Sequence, residues 1–140
     1  MTFMNAIPNH PAPEHIRTVF AKYTDALAKG DTQGLVSLFA PDGTLEDPIG
    51  TEPHRGHEAI ARFFQKGFDA TGGRILFRPE GPVRINGPHA GCAFVATCDR
   101  ADPPFEVDTM DIARFDAAGL IASMVAILGP TNFRKIEARG

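Results

Sequence analysis

The chain has 140 residues, 43% hydrophobic and 22% charged, a balance suited to one globular domain with a single core. Its formal charge of −3 and pI of about 5.9 leave no electrostatic footprint for nucleic acid, and the 14 basic residues form no run that would hold a membrane surface. No stretch approaches the roughly 20 apolar residues of a spanning helix, and MTFMNAIPNHPAPEH lacks the basic and apolar regions of a secretory signal, so a soluble, cytoplasmic protein is expected.

Residues 1–12 read as a loose lead-in, with three prolines by position 13 and little periodicity. In PEHIRTVFAKYTDALAKG, the residues Ile16, Val19, Phe20, Tyr23 and Leu27 recur at helical spacing, and Gly30 supplies the stop. Asp31 suits the N-cap of a second, short helix through Leu35, Leu38 and Phe39, broken at Pro41. Thr44–Asp47 is a short extended piece, because a residue before proline (here Pro48) avoids the α region. A third helix is expected over about 57–69, with Ile60, Phe63, Phe64 and Phe68 as its stripe and Gly72-Gly73 closing it.

From residue 74 the period falls from 3.6 to 2. Strands are expected at 74–78, 82–86, 89–98, 105–115 and 119–128, separated by Pro/Gly or Asp-Ala-Ala-Gly turns. Helices first and strands after is an α+β pattern rather than alternating βαβ. The domain therefore spans 13–128, and the tail at 129–140 is expected to leave the sheet. Helices on one side of a curved antiparallel sheet enclose a concave space fit for a small molecule. Cys92 and Cys98 fall in one strand about 20 Å apart, beyond disulfide reach, so reduced thiols are expected.

Three residues are candidates for chemistry. Asp111 shares a strand face with Phe105, Val107, Thr109, Ala113 and Phe115. The opposite face near it, Met110 and Ile112, is also apolar, so a strand covered on both sides is expected. A carboxyl there loses hydration when ionised, and its pKa should rise until it can act as a neutral donor. The alternative is a structural Asp tied to backbone N–H groups or paired with an arginine such as Arg114. Asp47, in LEDPIG, is either a turn-stabilising residue or a general base at a pocket mouth. Tyr23, the single tyrosine, is either plain core or a phenol donor reaching the pocket.

Other signals are weak. His54, His57 and Glu58 have spacing that capping and surface roles explain, so no metal site is expected. GxSxG, GxGxxG and P-loop patterns are absent. Cys92 or Cys98 with His89 could imitate a thiol–base pair, but buried hydrophobes describe these cysteines better.

The segments AKYTDALAKGDTQGLVSLFAPDGTLEDPIG, HRGHEAIARFF, GPVR and DTMDIARFDAAGLIASM resemble bacterial ketosteroid isomerases within the NTF2-like/SnoaL-like superfamily. The resemblance covers about 14–128, and EDPIG and MDIARFD carry it most specifically. It implies a cone of three helices on a strongly curved, mainly antiparallel sheet around an apolar pocket, usually as a homodimer. It also implies Asp47 as the general base, with Tyr23 and a protonated Asp111 as oxyanion donors. The implied substrate is a small hydrophobic ketone, a 3-oxo-Δ5 steroid, isomerised to Δ4 through a dienolate without cofactor. Phe39, Phe63, Phe64, Phe94, Ala96, Met124 and Leu128 are the expected pocket-lining residues. Phe39 and Phe64 stand where one branch of the family carries further tyrosines, and Leu128 stands where that branch has a large aromatic. Rival activities of the same fold are a cyclase, an epoxide hydrolase and a non-catalytic ligand-binding module. The hydrolase would want an Asp/Arg/Asp group, for which no clear arginine is visible.

Overall fold

The computed structural model describes residues 9–137, so residues 1–8 of the lead-in and 138–140 of the tail lie outside it. The first helix, α1 (Pro13–Lys29), starts with proline at its first position and ends at Gly30, whose φ of 64° is left-handed. The same glycine lets two helix ends meet: a Cβ on Gly30 would stand 2.3 Å from the Gly73 carbonyl oxygen. As expected, Asp31 caps α2 (Thr32–Val36), its Oδ1 accepting from the Gly34 N–H at 2.9 Å.

That second helix is shorter than its apolar spacing suggests. Leu38 and Phe39 leave it for the sheet, where the Leu38 carbonyl accepts from the Ile121 N–H and Phe39 opens β1 (Phe39–Glu46). Pro41 does not end the segment either. It falls in a stretch where the register against the neighbouring strand shifts, so its missing N–H costs no ladder bond. A two-residue strand, β2 (His54–Arg55), unmarked by any sequence signal, pairs antiparallel with β1 before α3 (Gly56–Thr71).

The remaining strands are β3 (Leu76–Pro79), β4 (Arg84–Asn86), β5 (His89–Cys98), β6 (Phe105–Phe115), β7 (Ile121–Ile127) and β8 (Phe133–Lys135). β5 and β6 lie where the alternation places them, whereas β3 begins two residues later than expected. The sheet runs β2-β1-β7-β6-β5-β3, with β4 also on β5 and β8 also on β6. It is mixed and open, because β1 lies parallel to β7 while the other pairs are antiparallel.

Two expectations fail for reasons of sheet geometry. The tail does not leave the sheet, since a 3-10 turn at Pro130–Asn132 leads into β8. β7 pairs only with residues 110–115 of β6, leaving the edge at 105–107 open, and β8 fills it with Val107 opposite Phe133. Nor is β6 covered on both faces. Val107, Thr109, Asp111, Ala113 and Phe115 point inward and are buried, while Met110 and Ile112 are 44% and 39% exposed.

The core lies between that inner face and the helices. Ile16, Phe20 and Leu27 of α1 and Ile60, Phe64 and Phe68 of α3 pack on Cys92, Phe94, Phe115, Ile121 and Met124. Each such side chain contributes about 1.5–3 kcal/mol by leaving water. Among the described residues, no helix is long and apolar enough to cross a membrane.

Candidate active site

Asp111 occupies the middle of β6, opposite Cys92 of β5 on one side and Ala126 of β7 on the other. It is 2% exposed, and its Oδ2 has no hydrogen-bond partner among the described residues. Burial, reinforced by the charge of Asp47, pushes its carboxyl up to about 8. The neighbouring Thr109 hydroxyl pulls the other way without reaching hydrogen-bond geometry. Arg114 is exposed on the far face of the strand, so the arginine-paired alternative for Asp111 does not hold.

Asp47 follows directly on β1, at a cis peptide bond to Pro48. The next backbone donor, the Ile49 N–H, bonds to the Ala126 carbonyl at 2.7 Å. Because Ala126 is also the partner of Asp111 across the ladder, this bond draws the Asp47 loop to the middle of β6. The turn-stabilising role belongs to Glu46, whose Oε2 accepts from the Gly50 N–H at 3.0 Å. Burial alone raises the Asp47 carboxyl to about 6. The described ion pairs involve other carboxylates: Glu14, Asp25, Glu58, Asp99, Glu106 and Asp108.

Tyr23 comes from the inward face of α1 and is 3% exposed. Its ring is held edge-on between Phe64 at 6.1 Å and Phe77 at 5.9 Å. Burial and the charges of Asp111 and Asp47 push its hydroxyl well above the usual tyrosine range, so it remains a neutral donor. The two carboxyls thus act on one phenol, and α1, the β1–β2 loop and β6 bring all three groups into one cluster. Burial holds both carboxyls above the usual carboxylate range, Asp111 further than Asp47.

The expected pocket residues divide. Phe39, Phe64, Phe94, Ala96 and Met124 are buried on the inner side. Phe63 is half-buried, packed against the core edge-on to Phe64 at 5.4 Å and against His54 at 4.8 Å. Leu128 is half-buried, one residue beyond β7. His57 is occupied structurally, its Nε2–H donating to the Phe39 carbonyl at 2.8 Å. Sequence reasoning passed over Thr109, a buried hydroxyl on the Asp111 face whose oxygen also has no partner among the described residues. Its signal was available: a polar residue between Val107 and Asp111 on an inward face.

The described hollows lie elsewhere, and Tyr23, Asp47 and Asp111 line none of them. A cavity of about 680 Å³ runs along the β3–β6 end, where the Arg74–Asp99 ion pair occupies its wall. A groove of about 570 Å³ crosses β4, β5 and the outer side of β6 at Met110 and Ile112.

Comparison with known proteins agrees with this architecture. Residues 20–124 match the SnoaL-like domain family. A steroid Δ-isomerase from Nocardioides simplex is 36% identical over 115 residues, spanning 82% of this chain and 90% of that protein. The epoxide hydrolase LasB from Streptomyces lasalocidi is 41% identical over 51 residues, covering 36% of this chain and 18% of LasB. Among solved structures, the epoxide hydrolase/cyclase-like enzyme SalBIII superposes with a TM-score of 0.76 at 22% identity, over 89% of this chain and 98% of that one. The matched domain and the extended identity place this chain in the SnoaL-like family, with a steroid Δ-isomerase among its relatives.

Proposed function

We propose that this protein is a cofactor-independent isomerase that moves the double bond of a 3-oxo-Δ5 steroid into conjugation with the ketone. The observation that carries this reading is the cluster of two carboxyls with no ion-pair partner among the described residues, both raised by burial, around a buried phenol. Ionised Asp47 removes a proton from the carbon between the ketone and the double bond. The negative charge passes through the conjugated system to the ketone oxygen. Tyr23 and protonated Asp111 donate hydrogen bonds to that oxygen, where buried donors act with little water to compete. Asp47 then returns the proton to the far carbon, so the site is restored without a co-reactant. A base near 6 both accepts and releases protons readily at neutral pH.

The relatives that act on epoxides define the competing activity. An Asp/Arg/Asp group finds no support in the described residues. Every described arginine is exposed except Arg74, which is half-buried and paired with Asp99.

The reading also includes a homodimer. Met110 and Ile127 lie opposite each other on the outer face of the sheet, 44% and 43% exposed, beside Ile112 at 39%. Such a cluster is the kind of apolar surface a second copy covers.

The test is to mix the protein with 5-androstene-3,17-dione and follow growth of the conjugated-enone absorbance. Asp47→Asn should lower kcat by roughly 10²–10⁴-fold. Equal inactivity of wild type and variant on several such ketones, with turnover of an epoxide instead, would remove the isomerase reading.

A further inference from the structure

Two enclosed polar atoms among the described residues have no partner, and they are neighbours. They are Thr109 Oγ1 and Asp111 Oδ2, two residues apart on the inner face of β6. A buried polar group left unpaired loses its hydration with nothing in return. Valine would fill the slot opposite Phe94 with the same branched shape and no such cost, so the hydroxyl is not explained by packing. The hydroxyl swings on one side-chain torsion, and the Asp111 oxygen is the unmet acceptor on its own face.

We propose that Thr109 is a positioning residue for Asp111, its hydroxyl donating to Oδ2 and so fixing which carboxyl oxygen keeps the acid proton. A neutral carboxyl can carry its proton on either oxygen. A donor aimed at one of them makes that oxygen the carbonyl and leaves the other as the O–H. The O–H then points along one direction toward the ligand oxygen instead of two. The same bond favours the ionised form, which makes Asp111 a stronger donor while it remains protonated at neutral pH. The other titratable groups acting with Asp111 are Tyr23 from α1, Asp47 from the β1–β2 loop and Cys92 from β5. None of these three stands beside it on its own strand face.

The inference rests on the isomerase reading for its kinetic consequence alone, so its primary measurement uses no substrate. The carboxylic-acid carbonyl band of Asp111 is read in the infrared and assigned by its loss in Asp111→Asn. Thr109→Val should move that band to higher frequency and raise the pH at which it disappears. Thr109→Ser should restore both. In turnover, Thr109→Val should lower kcat by about three- to tenfold with KM nearly unchanged, again rescued by serine. A band and midpoint that stay put in Thr109→Val overturn the proposal. A shift that serine fails to restore also overturns it, because it reports packing rather than the hydroxyl. A wild type inactive on ketosteroids would sink the isomerase reading while leaving the infrared result intact; full turnover with an unmoved band would sink only the role of Thr109.

Discussion

Replacing Asp111 by Asn removes a carboxyl that the folded chain keeps protonated and the unfolded chain does not. In the unfolded state the group ionises near its ordinary value of 3.8, whereas burial holds it un-ionised in the fold up to about 8. Between those limits the native state binds one proton more than the unfolded state, so wild-type stability falls as pH rises. The slope is about 1.4 kcal/mol per pH unit, and the interval of roughly four units corresponds to about 6 kcal/mol. Asp111→Asn has the same shape and no such dependence. Asp47, raised to about 6, is common to both proteins and drops out of the difference. Urea unfolding followed by circular dichroism at pH 4.5, 6 and 7.5 therefore has a defined outcome. The variant should gain on wild type at each step and be the more stable protein at pH 7.5, while losing turnover. Parallel stability curves for the two proteins would refute the premise that Asp111 is buried as a neutral acid.

The same two values set the rate profile: kcat/KM should rise through about pH 6 as Asp47 ionises and fall through about pH 8 as Asp111 does. In Asp111→Asn the alkaline limb should vanish, and its persistence would assign that limb elsewhere. Tyr23→Phe keeps the edge-on packing with Phe64 and Phe77 but deletes a donor, so kcat should drop by about 10²-fold with little change in unfolding. Turnover near wild type would contradict an oxyanion contact. Ile112→Asp puts a charge into the exposed apolar cluster of the sheet, and sedimentation velocity should show a dimer becoming a monomer. Gly30→Ala forces a side chain to a φ of 64° and within 2.3 Å of the Gly73 carbonyl oxygen, so it should cost at least about 1–2 kcal/mol in thermal unfolding.

The amino-acid order alone determined the elements whose signals are local. Apolar spacing and Gly30 define α1, the Asp31 side chain defines the start of α2, and alternation alone defines β5 and β6. Alternation also placed Asp111 on the apolar side of its strand, and the helix stripe placed Tyr23 inward. The tertiary structure decided what depends on partners distant in the chain. Phe39 joined the sheet because Ile121 offered a ladder position, and β8 formed because β6 is longer than the strand beside it. Asp47 carries no local sign that separates a turn residue from a base. It met Asp111 because the Ile49 N–H bonds to Ala126, across the sheet from Asp111. Side-chain periodicity is a property of a few consecutive residues, whereas burial of a carboxyl, and hence its proton, is set by everything that packs around it.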